Sequence, residues 1–442
     1  MSANWLSMSM AELGRGIGAG QIDPVALART YLDAIAASPV ADRIYARVTA
    51  DRALAEAGAA KRRADAGQRL GLLDGVPVSW KDLFDTAGVA TEAGSALLAD
   101  RVPTRDARVL ANATAAGLVC LGKTHMSELA FSGLGVNPIT ATPPCVNDPG
   151  AAPGGSSSGA AASVAFNLAP CGIGSDTGGS VRIPSAWNDL VGFKTSHGRL
   201  SCEGVVPLVA SFDTVGPLCR SVEDAALVLG VLEGGTVPDL RGATLQGRRL
   251  LVLKNGLDDT RNGPGTGFEQ AVKRLEAAGA SVAQQRLTCI DEALSLSGVL
   301  FTTEAYATWR DQIEAQPDLM FGEIRERFRS GKQFSGVEFI SAWQRLRMLR
   351  AEYHQRTAGF DAVLLPTSPI LPPNIERLET DSDYYVTENL LALRNTRVGN
   401  LMGSAGLSLP TGVPSAGLMM LTPPGSDHRL LRLGAAAERA LA

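Results

Sequence analysis

The chain has 442 residues, 45% of them apolar and only 5% aromatic, with 41 basic residues against 45 acidic ones and a formal charge of −4. No basic block and no aromatics interleaved with Arg or Lys are present, which reads against nucleic acid as a partner; no window approaches the ~18 uninterrupted apolar residues of a membrane-spanning helix. Six scattered cysteines (Cys120, Cys145, Cys171, Cys202, Cys219, Cys289) include no C-x-x-C pair and fit neither a zinc site nor a disulfide framework.

The start, Met1-Ser2-Ala3-Asn4-Trp5, lacks the charged and apolar regions of a signal peptide. A reduced, cytoplasmic protein without metal or cofactor is the expectation. Asp23 caps and Pro24 opens a helix predicted over 24–36, where Val25, Leu27, Ala28, Tyr31 and Ile35 recur at helical spacing. Further helices are predicted over 51–66 and 105–116, then a short strand over 118–121 and a small-residue helix over 159–168, opened by Ser156. In the second half, strands over 250–253, from 281 and over 362–365 alternate with helices over 267–278, 298–314 and 336–357, and a helix over 427–441 closes the chain. This alternation predicts an α/β fold, a central mixed, mostly parallel sheet covered by helices on both faces. No repeat, linker or composition break divides it, so one large domain over 1–442 is expected.

Two Gly/Ser segments carry the chemistry. The first reads Gly154-Gly155-Ser156-Ser157-Ser158-Gly159; the second runs Ser175-Asp176-Thr177-Gly178-Gly179-Ser180-Val181-Arg182. A lone Gly/Ser run is ordinarily a flexible loop, and a lone lysine a solvated charge. Here Lys81 follows the strand-like run Val76-Pro77-Val78-Ser79-Trp80. Two hydroxyls, one base and a row of small-residue backbone donors are the parts that attack a carbonyl and hold its oxyanion.

Three other motifs compete. Gly117-x-x-x-x-Gly122-Lys123-Thr124 matches the phosphate-loop pattern, but its interior, Leu118 to Leu121, is an apolar strand rather than a bent loop. Gly155-Ser156-Ser157-Ser158-Gly159 matches the nucleophile elbow of an α/β-hydrolase, which would make Ser157 the nucleophile of an esterase. That reading needs a catalytic histidine, and His354 and His428 fall in or near helices. Gly14-x-Gly16-x-x-Ala19 has no strand before it and reads as chance.

At these residues the sequence resembles the amidase signature family. Gly75-Val76-Pro77-Val78-Ser79-Trp80-Lys81-Asp82 matches the family's lysine segment, and Gly122-Lys123-Thr124-His125-Met126-Ser127-Glu128 its G-K-T-N-M-x-E segment. Gly192-Phe193-Lys194-Thr195, Asp213-Thr214-Val215-Gly216-Pro217 and Arg220-Ser221-Val222-Glu223-Asp224 resemble later runs, with the signature core at about 70–230. Leu393-Arg394-Asn395-Thr396 and Gly417–Leu421 fall where the family places its closing strands. The resemblance implies Ser180 as nucleophile, Ser156 (after a cis peptide bond) as the bridging serine and Lys81 as base. It implies an oxyanion hole from the N–H groups of Thr177, Gly178, Gly179 and Ser180, with Ser157, Asp176 and Arg182 in support. Arg182 either braces Asp176 or meets a substrate carboxylate, bracing being preferred. Ser158, His125, Ser196 and Met419 depart from the family's usual residues, which bears on the pocket rather than on the chemistry.

A lysine acts as a base only when neutral, so burial must lower the Lys81 pKa from about 10.4 toward neutrality. The expected reaction is hydrolysis of an amide, anilide or carbamate/urea-type C–N bond through an acyl-enzyme. Pocket walls near His125 to Pro144, Met126 among them, from Phe301 to Trp309 and at Met419 suggest a small, uncharged, partly apolar substrate. The alternative from another class is the glutaminase (A) subunit of a tRNA-dependent amidotransferase. A homodimer is compatible with the sequence, which carries no feature that calls for one.

Overall fold

The computed structural model describes residues 2–442, so Met1 of the N-terminal run lies outside the described residues. Eleven strands form one sheet: β1 (Tyr45–Val48), β2 (Pro77–Lys81), β3 (Val119–Thr124), β4 (Cys171–Ser175), β5 (Val191–Lys194), β6 (Val215–Cys219), β7 (Arg249–Leu253), β8 (Ser281–Gln285), β9 (Ala362–Pro366), β10 (Ala405–Pro410) and β11 (Gly417–Thr422). Their spatial order is β1-β3-β2-β4-β6-β5-β10-β11-β9-β7-β8. Helices flank the sheet, as the α/β expectation requires. Parallel pairing is not the majority, however. Only β2–β3, β2–β4, β7–β8 and β7–β9 are parallel, and the other six neighbouring pairs are antiparallel. Antiparallel neighbours need no helical crossover, and β10 and β11 pair as adjacent strands in sequence, from Ala405↔Thr422 to Pro410↔Gly417.

Strands β2 and β9 are buried along their whole length, which is why β9 reads as a continuous apolar run without alternation. Strands β4, β5, β6 and β10 were not visible in the sequence because glycine interrupts each of them. Those glycines serve close approach. A Cβ on Gly172 would lie 2.5 Å from Ala160 O, and one on Gly174 would lie 2.6 Å from Ser157 Oγ. Helix Ser158–Ala165 can therefore press directly onto β4.

Most predicted helices form close to their expected limits. Asp23 Oδ1 accepts from Val25 N at 2.8 Å and Ala26 N at 2.9 Å, capping helix Pro24–Ala37. Ser335 and Glu338 form a capping box at the head of helix Gly336–Thr357. Two expectations need correction. Ser156 does not open a helix, since the helix begins at Ser158 with Ser157 at the capping position. Leu393–Thr396 is not a strand but part of helix Ser382–Leu401, started by Asp381, whose carboxylate accepts from Tyr384 N at 3.0 Å. That helix buries residues on several sides, so no clean apolar stripe announces it.

The fold positions the site through its parallel centre. Lys81 ends β2 and Ser175 ends β4, and these strands are adjacent and parallel, with Trp80 opposite Ile173. Their carboxyl ends therefore open on the same edge. The chain also leaves β2 toward β3 on one side and returns as β4 on the other, the kind of topological switch where α/β sheets bind ligands.

Candidate active site

Lys81 is fully buried, and its Nζ donates to Ser156 Oγ at 2.7 Å and to Ser175 Oγ at 2.8 Å. Burial pushes its pKa down to about 7, against the opposing pull of the Asp176 and Asp213 carboxylates. The amine thus sits near the balance between its neutral and charged forms at neutral pH. Ser175, the second acceptor, opens the second Gly/Ser segment, and no motif singles out its contact with the lysine.

The two Gly/Ser segments are stitched together by backbone contacts. The Gly155–Ser156 peptide bond is cis. Ser157 N–H donates to Ser180 O at 3.2 Å, and Ser127 N–H donates to Ser156 O at 3.1 Å. Ser157 Oγ donates to Ser175 O at 3.2 Å and accepts from Ser175 N at 3.3 Å. Its hydroxyl is thus turned into the protein, which removes the geometry that a nucleophile elbow requires. Ser180, in contrast, lines an open cavity, together with Thr177 and Gly178.

Asp176 and Arg182 form a fully buried pair. Arg182 Nη2 donates to Oδ1 at 2.8 Å and Nε donates to Oδ2 at 2.9 Å. Burial alone would raise the Asp176 pKa, but the Arg182 guanidinium holds the carboxyl well below the usual range. The remaining Arg182 donors reach Thr396 O at 2.8 Å and Asn400 Oδ1 at 2.6 Å. No donor is left for a substrate, so Arg182 braces. Asp176 Oδ1 also accepts from Gly179 N at 2.9 Å. One of the four expected oxyanion donors is thereby committed, while the N–H groups of Thr177, Gly178 and Ser180 have no protein acceptor among the described residues. Thr177 is itself anchored, its Oγ1 donating to Asp213 Oδ1 at 2.5 Å.

The cavity above Ser180 has a volume of about 410 Å³, within the ordinary size range of small-molecule sites. Phe131, Leu208, Phe301 and Leu393 supply apolar wall, and Asn389, Arg327 and Arg397 supply polar groups. A family model described as Amidase matches residues 26–431. The chain belongs to the amidase family. It is 34% identical to the 2-amino-5-chloromuconic acid deaminase of Comamonas testosteroni over 84% of this chain and 83% of that protein. It is 33% identical to the A subunit of the glutamyl-tRNA(Gln) amidotransferase of Acidothermus cellulolyticus over 97% of this chain and 93% of that one. The peptide amidase of Stenotrophomonas maltophilia superposes with a TM-score of 0.80 at 27% identity, covering 98% of this chain and 96% of that one. Membership makes this protein a hydrolase of carbon–nitrogen bonds.

This amidase departs from expectation in its pocket. His125, Met126 and Met419 do not line the cavity. Met126 is fully buried, and Met419 lies behind the Gly/Ser loop with its sulfur 3.1 Å from Arg182 Nη1. Phe301 lines the wall as expected, whereas Trp309 does not and instead donates through Nε1 to Pro207 O at 2.9 Å. Ala130, Phe131 and Ser132 of the expected stretch from His125 to Pro144 do line the cavity, but Glu323, Glu326, Arg327 and Arg397 add charges that the expected uncharged wall lacks. Lys123 of the phosphate-loop match is buried at the end of β3, 3.2 Å from Asp82 Oδ1 and 2.9 Å from Thr91 Oγ1. No helix in the described residues is long and apolar enough to cross a membrane.

Proposed function

We propose that this amidase hydrolyses a small-molecule amide, anilide or carbamate/urea-type bond through an acyl-enzyme on Ser180. The observation that carries the reading is the buried Lys81 amine, held on Ser156 and poised near neutrality. Neutral Lys81 takes a proton from Ser156, which takes one from Ser180 as its Oγ attacks the carbonyl carbon. The Ser156–Ser180 link is made as substrate seats, since catalytic hydrogen bonds are often long in unliganded sites. The N–H groups of Thr177, Gly178 and Ser180 face the developing oxyanion. On collapse of the tetrahedral intermediate, the relay returns its proton to the leaving nitrogen. Water then attacks the acyl ester and gives its proton to the same relay, which returns it to Ser180 Oγ as the C–O bond breaks and the acid leaves.

We read residues 1–442 as one functional domain, because a single sheet runs from Tyr45 to Thr422. The test is labelling with a small fluorophosphonate, followed by peptide mapping. An adduct on Ser180 that disappears in Lys81→Ala supports the assignment; an adduct on Ser157 overturns it. The likeness to an amidotransferase component over nearly the whole chain favours a second reading, a glutaminase acting within a complex. Hydrolysis of amides by the isolated chain, with glutamine a poor substrate, would decide against it.

A further inference from the structure

The cavity holds two positive charges that the protein does not neutralise. Arg327 comes from helix Gly322–Arg329 and Arg397 from helix Ser382–Leu401, and both line the same cavity as Ser180. Among the described residues, neither guanidinium makes an ion pair or hydrogen bond with protein, and Arg327 Nη1 is buried with no partner at all. Arg327 lies over the Phe131 ring, 4.4 Å from its centroid. The Arg397 stem passes beside the oxyanion loop, where a Cβ on Gly178 would lie 3.9 Å from Arg397 Cγ.

Other arginines of this chain find carboxylates, as in Arg182–Asp176, Arg261–Glu388 and Arg345–Glu292. The acids at the cavity are already engaged. Glu326 Oε1 accepts from Arg325 Nε at 2.9 Å and Arg329 Nη1 at 3.1 Å, and Glu323 accepts from Ser382. Burial pushes the Arg327 pKa down to about 10 and that of Arg397 to about 9, and Arg327 depresses Arg397 further. Two like charges beside apolar walls cost free energy until an anion joins them.

We propose that the substrate carries a carboxylate on an apolar spacer, remote from the scissile C–N bond, seated between Arg327 and Arg397. This rests on the reading of Ser180 given above and adds the substrate class. Guanidinium forks match a planar carboxylate through paired N–H donors. Leu208, Phe301, Leu390 and Leu393 offer the spacer an apolar path from Ser180. Glu326 is held by Arg325 and Arg329 and Glu323 by the Ser382 hydroxyl, so neither glutamate neutralises Arg327 or Arg397.

The experiment compares succinamate, glutaramate and adipamate with their neutral diamides. Turnover is measured on the wild type and binding, by calorimetry, on Ser180→Ala. The best half-amide should exceed its diamide in kcat/KM by roughly 10- to 100-fold, the range of a hydrogen-bonded charge pair. In Arg327→Gln and Arg397→Gln that ratio should collapse toward one through KM, with partial recovery in Arg397→Lys. Equal or better use of the diamides, or a ratio unmoved by both arginine variants, overturns the proposal. Arginine-dependent binding of a half-amide that is never cleaved would uphold the carboxylate site and instead remove the catalytic reading.

Discussion

The floor of the cavity is supplied by strand ends and loops between Lys81 and Arg182, whereas its far wall is supplied by helices between Ser297 and Arg397. In the floor, backbone geometry does the fixing. Ser157 bonds to the Ser180 and Ser175 backbones, Asp176 holds Gly179 N–H, and glycines at 172 and 174 let a helix touch the strand beneath. In the wall, side chains on helix faces line the ligand space, some anchored to the floor, as Asn389 is by Gly133 N–H, and others, such as Arg327 and Arg397, without a protein hydrogen bond. The difference teaches that chemistry and selectivity are separable here, and single substitutions can break that separation.

The largest effect should come from Ser180→Ala, which removes the attacking oxygen while leaving the wall in place. Turnover should fall by roughly 10³-fold or more for every substrate, as in other enzymes that lose a covalent nucleophile. Retained ligand binding in the same variant, measured by calorimetry, would show floor and wall to be separable. If both were lost together, the comparison would fail.

Lys81→Met should follow, with a loss of roughly 10²- to 10⁴-fold for a missing general base. It also makes a prediction of opposite sign for stability. The folded pKa of about 7 lies below the unfolded value of about 10.4. Between these limits the unfolded chain holds a proton that the folded chain has released, so stability rises with pH across that window. The destabilisation is fully present below pH 7 and gone above about pH 10.4, and at neutrality it is on the order of 4 kcal/mol. Lys81→Met should thus melt higher than wild type near pH 7 and lose that advantage near pH 10. Wild-type turnover should rise as pH passes through about 7, as the amine loses its proton. A rate that falls there would reject neutral Lys81 as the base.

Asp176→Asn tests the charged strut that joins the two regions. Asp176 is bonded to Arg182 and Asn400, and Arg182 reaches Thr396 and Asn400 on the wall helix. Leaving Arg182 buried without its charge partner should cost roughly 3–5 kcal/mol of stability, read as a lower denaturant midpoint. Both kcat and KM should worsen, unlike a change confined to floor or wall.

The same contrast explains what the sequence revealed. Ser156 and Ser180 stood out as candidates because close backbone approach demands glycine and serine in a fixed order, and such demands leave motifs. Pairing of Arg182 with Asp176 was preferred over a substrate carboxylate because Arg commonly makes bidentate carboxylate pairs. Strands β4, β5, β6 and β10 stayed hidden because the glycines that admit a neighbour also erase the strand pattern. Arg327 and Arg397 gave no signal, since an arginine on a helix is ordinarily a solvated charge; only the folded chain shows that neither has a carboxylate or hydrogen-bond partner among the described residues. A sequence cue was available for the wall in Asp381, a capping residue before a long run free of Gly and Pro up to Gly399.

The smallest predicted effect probes the floor alone. Ser175 accepts a hydrogen bond from Lys81 Nζ at 2.8 Å. That bond is stronger when the amine is charged, because charge-assisted hydrogen bonds exceed neutral ones by about 1 kcal/mol. Removing the hydroxyl in Ser175→Ala therefore disfavours the ammonium, and the Lys81 pKa should fall by roughly 0.7 on that figure. The midpoint of the rate–pH curve should move toward acid by that amount, while kcat on the alkaline plateau changes by less than about tenfold. An alkaline movement would mean that Ser175 stabilises the neutral amine instead, and its place in the floor would be that of a donor to Lys81 rather than an acceptor from it.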